Sequence, residues 1–243
     1  MAIRAFRRAS ASFGAVALVV AGCGGDDSGT APSDPLLEGL EAYYTFDGST
    51  DDVSGNARHA TLIGGASVTG GVLVTGSNDV DALEVPRGAL DGVGDFTVSG
   101  WVKMSTFHIY PSQWLSCAIA AEDNNLGVWY DPNNDRWSID ILGDRLNFST
   151  NSAMEDNQFH HIVVVRNGTT VVLYVDGAQA GSVTVLSDPI DIDPGGLIVG
   201  QDQDSVGGGF TTNNSLAGEV DELRFYSRAL STTDVAAILA LGR

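Results

Sequence analysis

The sequence predicts an all-β protein in which two antiparallel sheets pack as a sandwich closed by a short C-terminal helix. Three observations carry that prediction. Strand-length segments such as Phe96-Thr97-Val98-Ser99-Gly100-Trp101-Val102-Lys103-Met104 alternate with period two, with Phe96, Val98, Val102 and Met104 on one face, the mark of a half-buried strand. Asn167-Gly168 falls between two β-branched runs, Ile162-Val163-Val164-Val165 and Val171-Val172, and reads as a hairpin. Near the end, Val235, Ile238 and Leu239 share a helical stripe behind Ser231-Thr232-Thr233-Asp234, a capping box with Asp in place of the usual Glu. A chain of 243 residues suits one such sandwich.

Residues 1–23 read as an export signal, with Arg4, Arg7 and Arg8 ahead of an apolar run from Phe13 to Val20. The run is too short for a mature bilayer-crossing helix, which takes roughly 20 residues. Val20-Ala21-Gly22-Cys23 resembles a bacterial lipobox. That resemblance implies lipidation at Cys23 and a protein exported and anchored at the bacterial cell envelope, at the outer membrane or cell surface, touching membrane through its lipid only. An ordinary cleaved signal with a stray cysteine is the alternative. Residues 24–38, rich in Gly, Asp, Ser and Pro, read as a flexible tether, and 39–243 as the folded domain.

The net charge is −19, and because residues 1–22 hold three arginines and no acid, the remainder carries −22. Such a surface repels nucleic-acid phosphates and favours divalent cations. Only Cys23 and Cys117 could form a disulfide; with Cys23 lipidated, Cys117 reads as a buried structural thiol.

Leu40 to Asp47 alternates as the first strand and runs into an oxygen-rich loop, Asp47-Gly48-Ser49-Thr50-Asp51-Asp52-Val53-Ser54-Gly55-Asn56. Such a loop suits calcium, which takes six to eight oxygens, and equally suits an ordinary solvated turn. Residues 60–85 are short apolar runs broken by glycine pairs. Residues 107–148 are aromatic-rich, and Trp114, Trp129, Tyr130 and Trp137 are the candidate platforms for a sugar face; packing in a β core is the competing reading. His160 and His161 are neighbours on a strand, so they point to opposite faces and cannot chelate one ion together. They read as packing and hydrogen-bonding residues. The glycine-rich stretch Gln201 to Ser215 reads as a mobile loop.

The stretch Gly218-Glu219-Val220-Asp221-Glu222-Leu223-Arg224-Phe225-Tyr226 organises the rest. Strict alternation puts Asp221 on the face of Leu223 and Phe225, and a carboxylate heading an apolar row needs a hydrogen bond, a cation or a metal. This run resembles the closing signature of the laminin G-like jelly rolls in the concanavalin A-like family. Phe-Asp-Gly at 46–48, Phe-Thr-Val-Ser-Gly-Trp-Val-Lys at 96–103, Phe-His-His-Ile at 159–162 and Leu-Tyr-Val-Asp-Gly at 173–177 match further family motifs, with Phe159 where tryptophan is usual.

The resemblance implies a jelly roll. It also sets the oxygen-rich loop beside Asp221, which makes Asp47, Asp52 and Asp221 the expected ligands of a structural calcium ion. It further implies a non-catalytic binding domain whose partner is a polysaccharide or a surface protein, with no role for nucleic acid. A structural or adhesive envelope protein is the alternative. Glycoside hydrolysis has one foothold, the alternation of Glu219 and Asp221, since retaining hydrolysis uses two carboxyls about 5 Å apart.

Overall fold

The computed structural model describes residues 34–76, 80–104, 111–150, 154–186, 188–210 and 214–243, without the side chains of 122–124. The expected export signal, Cys23, most of the tether and the aromatics at 107, 108 and 110 lie outside the described residues. Asp34–Arg243 forms one compact unit.

Among the described residues, fifteen strands and one α-helix follow in order. They are β1 (Leu40–Tyr44), β2 (Thr61–Ile63), β3 (Ser67–Thr69), β4 (Val72–Val74), β5 (Ala82–Glu84) and β6 (Phe96–Met104), then β7 (Ser112–Ile119), β8 (Glu122–Asp131), β9 (Arg136–Ile141) and β10 (Asp144–Ser149). After them come β11 (Phe159–Asn167), β12 (Thr170–Val175), β13 (Ala178–Thr184), β14 (Leu197–Val199), β15 (Gly218–Tyr226) and α1 (Thr232–Leu241).

They build two antiparallel sheets. The first runs β13-β12-β11-β6-β15-β4-β3, with β1 also paired to β15; the second runs β10-β9-β8-β7-β14-β5-β2. The neighbours β15–β6 and β14–β7 are distant in sequence, so the sandwich closes through long-range pairing.

The expected alternation of β6 is present. Val98, Val102 and Met104 face the layer between the sheets, and so do Ile162 and Val164 of β11 and Leu115, Leu126 and Ile139 of the other sheet. Gly100 sits in that row because a Cβ there would come within 3.2 Å of the Trp114 ring. The opposite face of the first sheet has its own apolar patch, where Val163, Val165, Tyr174 and Tyr226 are covered by Leu230, Val235 and Ile238. Helix α1 begins with the predicted box: Ser231 Oγ accepts from Asp234 N at 3.1 Å, and Asp234 Oδ2 accepts from Ser231 N at 3.0 Å. The hairpin at Gly168 joins β11 to β12 as expected. Cys117 is buried, and burial pushes its thiol above the usual range, as suits a structural residue.

Candidate functional site

Strand β15 does not turn Asp221 inward, contrary to strict alternation. Between Asp221 and Arg224 its pairing with β6 shifts register, and Glu222 takes φ +50°. A β-bulge inserts one residue and exchanges the faces. Val220, Leu223 and Phe225 therefore share the core. Asp221 meets Arg243, whose Nε and Nη2 each lie 3.0 Å from Oδ2. The Arg243 guanidinium in turn stacks 3.3 Å from the centroid of Phe159.

The other acids of the strand are served in the same way. Glu219 Oε1 is 2.7 Å from Lys103 Nζ. Glu222 contacts both Arg224 and the Tyr43 hydroxyl, and Arg224 stacks 4.0 Å over the Tyr43 ring. Three acids thus meet three cations, and the bulge is tied to β1.

Burial pushes the Asp221 carboxyl up to about 6 against the pull of Arg243. The ordinary value is about 3.9, so its contribution to stability is complete below that value and is lost as pH rises through about 6. The melting temperature of the wild type relative to Asp221→Asn is expected to fall by a few degrees as the pH is raised from acid to neutral. A difference that does not vary with pH would contradict it.

The loop after β1 is held by Asp52, which is 7% exposed. Its Oδ1 accepts from Tyr43 N at 2.9 Å and Ser54 N at 2.8 Å, and its Oδ2 accepts from Ser54 Oγ and Arg58 N, both at 2.9 Å. Asp47 lies exposed on the same loop. The structure does not gather Asp47, Asp52 and Asp221, the expected calcium ligands, into one group. One carboxylate is saturated by protein N–H and O–H groups, one is bound to an arginine, and the third stands in solvent. Among the described residues no group of three or more His, Cys, Asp or Glu side chains is placed to hold a metal ion.

The candidate platforms also divide. Trp114 and Trp137 are fully buried and Tyr130 is 3% exposed. Trp114 and Trp137 pack edge to face at 6.3 Å, and Tyr130 lies 5.8 Å from Trp137. These three belong to the core, which corrects them as sugar platforms. Trp129 is different. It precedes Tyr130 on β8 and so faces outward, half-buried and in register with Gln113 on β7 and Ser138 on β9.

Trp129 lines a hollow of about 190 Å³ on the outer face of the second sheet, together with Pro111, Gln113, Asp140, Arg145, Asp202 and Asn214. Arg145 lies 5.0 Å over its ring. The wall opposite comes from Asp202 and Asn214, in the stretch after β14 whose glycine-rich sequence predicts a mobile loop. Buried glutamines fix it across the sheet: Ser116 Oγ donates to Gln201 O at 2.9 Å, and Gln203 Nε2 donates to Ser116 Oγ and Gly196 O, both at 3.0 Å. Sequence reasoning missed Gln113, Asp140, Arg145, Asp202 and Asn214, since only the sheet brings them together.

His161 and Ser99 form a hydrogen-bonded pair, 2.9 Å from Nε2 to Oγ. Both are fully buried, and burial lowers the imidazole to about 4, so the pair is sealed in packing rather than offered to a substrate. His160 is bound by Asp176 at 2.7 Å and Asp156 at 3.2 Å. Both histidines play the packing and bonding roles expected of them. Glu219 and Asp221, the foothold for glycoside hydrolysis, are each clamped by a base.

A family profile described as the concanavalin A-like lectin/glucanases superfamily matches residues 75–236, about two-thirds of the chain. The chain belongs to that superfamily. Among curated relatives it is 38% identical over 91 residues to human Pentraxin-4, covering 36% of this chain and 19% of that protein. It is 29% identical over 153 residues to C-reactive protein 1.1 of Limulus polyphemus, covering 59% of this chain and 61% of that one. The chain thus spans less than two-thirds of the length of either. Domain 4 of an extracellular arabinanase from Geobacillus stearothermophilus, solved in complex with arabinotriose, superposes with a TM-score of 0.62 at 19% identity, covering 82% of this chain and 98% of that one. At that identity the likeness shows the shared fold. A lectin-like, laminin G-like sandwich is the architecture that sequence and structure both support.

Proposed function

We propose that this superfamily member is a non-catalytic binding domain that takes carbohydrate on the outer face of its second sheet, with Trp129 as the stacking surface. The observation that carries this reading is the placement of Trp129. Of the four candidate aromatics it is the one turned out of the core, and it stands in a hollow whose other walls are mostly polar. A sugar ring has one apolar face and a rim of hydroxyls, so it calls for a flat apolar surface beside mixed donors and acceptors. The hollow supplies both. Asp140 and Asp202 accept, while Arg145 donates and Gln113 and Asn214 do either. Its size suits one ring rather than a drug-sized ligand. The arabinotriose complex of a domain with the same fold supports a sugar in this role.

Affinity electrophoresis through gels that hold single polysaccharides tests the reading. At least one polysaccharide is expected to retard the wild type. Trp129→Ala is expected to weaken that retention at least tenfold, from the roughly 2 kcal/mol of an aromatic hot spot, with the melting temperature unchanged. No retardation by any gel would turn the argument toward a structural or adhesive role. Full retention by Trp129→Ala would move the site elsewhere.

A further inference from the structure

Three of the side chains around Trp129 are charged, two acids and one base: Asp140, Asp202 and Arg145. The base is already engaged. Arg145 Nε donates to Asp140 Oδ1 at 2.8 Å and Nη2 donates to Oδ2 at 2.6 Å. This two-pronged pairing takes the Nε/Nη2 edge, one of the two edges by which a guanidinium grips a carboxylate or sulfate, and sets a carboxylate against its charge. Backbone register holds it in place, because Arg145 and Asp140 stand directly opposite each other on the hairpin of β10 and β9. The turn between them, Leu142-Gly143, takes φ +52° and +85°, the tight form that keeps a two-residue hairpin in register. Asp202 adds a second carboxylate, which accepts from Asn214 Nδ2 at 2.9 Å.

Resting on the reading of this hollow as a sugar site, we propose that Asp140 sets its selectivity. By occupying Arg145 it restricts the site to uncharged sugars and shuts out uronates and sulfated sugars. A neutral ring gains here, since each hydroxyl donates to a carboxylate oxygen or accepts from an amide or guanidinium N–H. An anionic ring faces two carboxylates against one engaged cation, on a chain whose net charge is −19, and like charges brought together inside an interface are strongly disfavoured. The hydrogen bond to Asp140 also holds the Arg145 guanidinium above its ordinary pKa.

The experiment compares gels holding neutral arabinan, mannan or β-glucan with gels holding polygalacturonate or a sulfated glycan, all at low salt. Wild type is expected to be retarded by a neutral gel and by neither anionic one. Asp140→Asn keeps the shape and removes the charge. It is expected to gain retention on an anionic gel by tenfold or more, and to lose it again with added salt or in the double variant Asp140→Asn with Arg145→Ala. Should Asp140→Asn melt well below wild type, Asp140→Ser serves for the same comparison.

The proposal is overturned if wild type prefers an anionic gel, or if a folded Asp140 variant gains nothing there. Absence of retardation of wild type in every gel removes the sugar site itself, and the selectivity claim with it.

Discussion

Trp137→Ala is expected to cost about 3–5 kcal/mol of stability, the range for truncating a buried aromatic, and so to lower the melting temperature by roughly 10 °C or more. The same change at Trp129 is expected to leave the melting temperature where it is. The two residues lie on neighbouring strands, and their difference is one of face. Trp137 is opposite Tyr130 in the register of β8 and β9, and Trp129 is opposite Ser138. Because successive side chains alternate, whichever face takes Tyr130 and Trp137 denies itself to Trp129. The inner face is closed by Trp114 of β7 and Phe148 of β10, both in the core cluster with Trp137, so alanine there leaves a cavity that three strands would have to collapse to fill. Circular dichroism melts of the two variants check the assignment. An unchanged melt for Trp137→Ala would mean that the core does not depend on this ring.

That contrast also shows what the chain made legible. Local devices could be read directly. The Asn167-Gly168 hairpin, the Ser231–Asp234 box and the period-two run of β6 each depend on residues within a few positions of one another. The pattern at Trp129-Tyr130 was equally local, since adjacent strand residues cannot both serve one platform, and it was the available signal for separating Trp129 from the core aromatics.

The direction of Asp221 could not be read in that way. Period-two reasoning assumes no inserted residue, and the bulge at Glu222 breaks it without glycine or proline to announce it. The partners that decide the chemistry of β15 are distant. Lys103 is 116 positions from Glu219, and Tyr43 is 179 from Glu222. No spacing rule reaches that far. The hollow beside Trp129 is hidden for the same reason, because Asp202 and Asn214 lie beyond β14 in the chain and line the hollow through the pairing of β14 with β7.

Replacing Asp52 with alanine is expected to cost about 3 kcal/mol, because a buried carboxylate taking several hydrogen bonds leaves its donors unsatisfied when removed. The melting temperature should fall by roughly 6–12 °C. The expectation follows from what the loop does at the edge of β1. Val53 N donates to Tyr43 O at 2.9 Å, Asn56 Nδ2 donates to Leu40 O at 2.8 Å, and Tyr44 Oη donates to Arg58 O at 2.6 Å. The loop therefore caps the strand edge that β15 leaves open, and Asp52 is its centre.

Burial works to raise the Asp52 pKa, but the hydrogen bonds from Arg58, Ser54 and Tyr43 outweigh it and hold the value below the ordinary one. A depressed carboxyl contributes its stability above the ordinary value of about 3.9 and loses it as pH falls below that. The gap between wild type and Asp52→Ala should accordingly be widest near neutral pH and close in acid. An oxygen-rich loop built to hold calcium would behave otherwise, since its variant would lose most in the presence of the ion and little after chelation. Here the gap is expected to be the same with calcium or with EDTA, because the groups that Asp52 serves are backbone N–H donors and a serine hydroxyl. A gap that opens only when calcium is added would return Asp52 to the metal-binding role that its neighbourhood in the sequence first suggests.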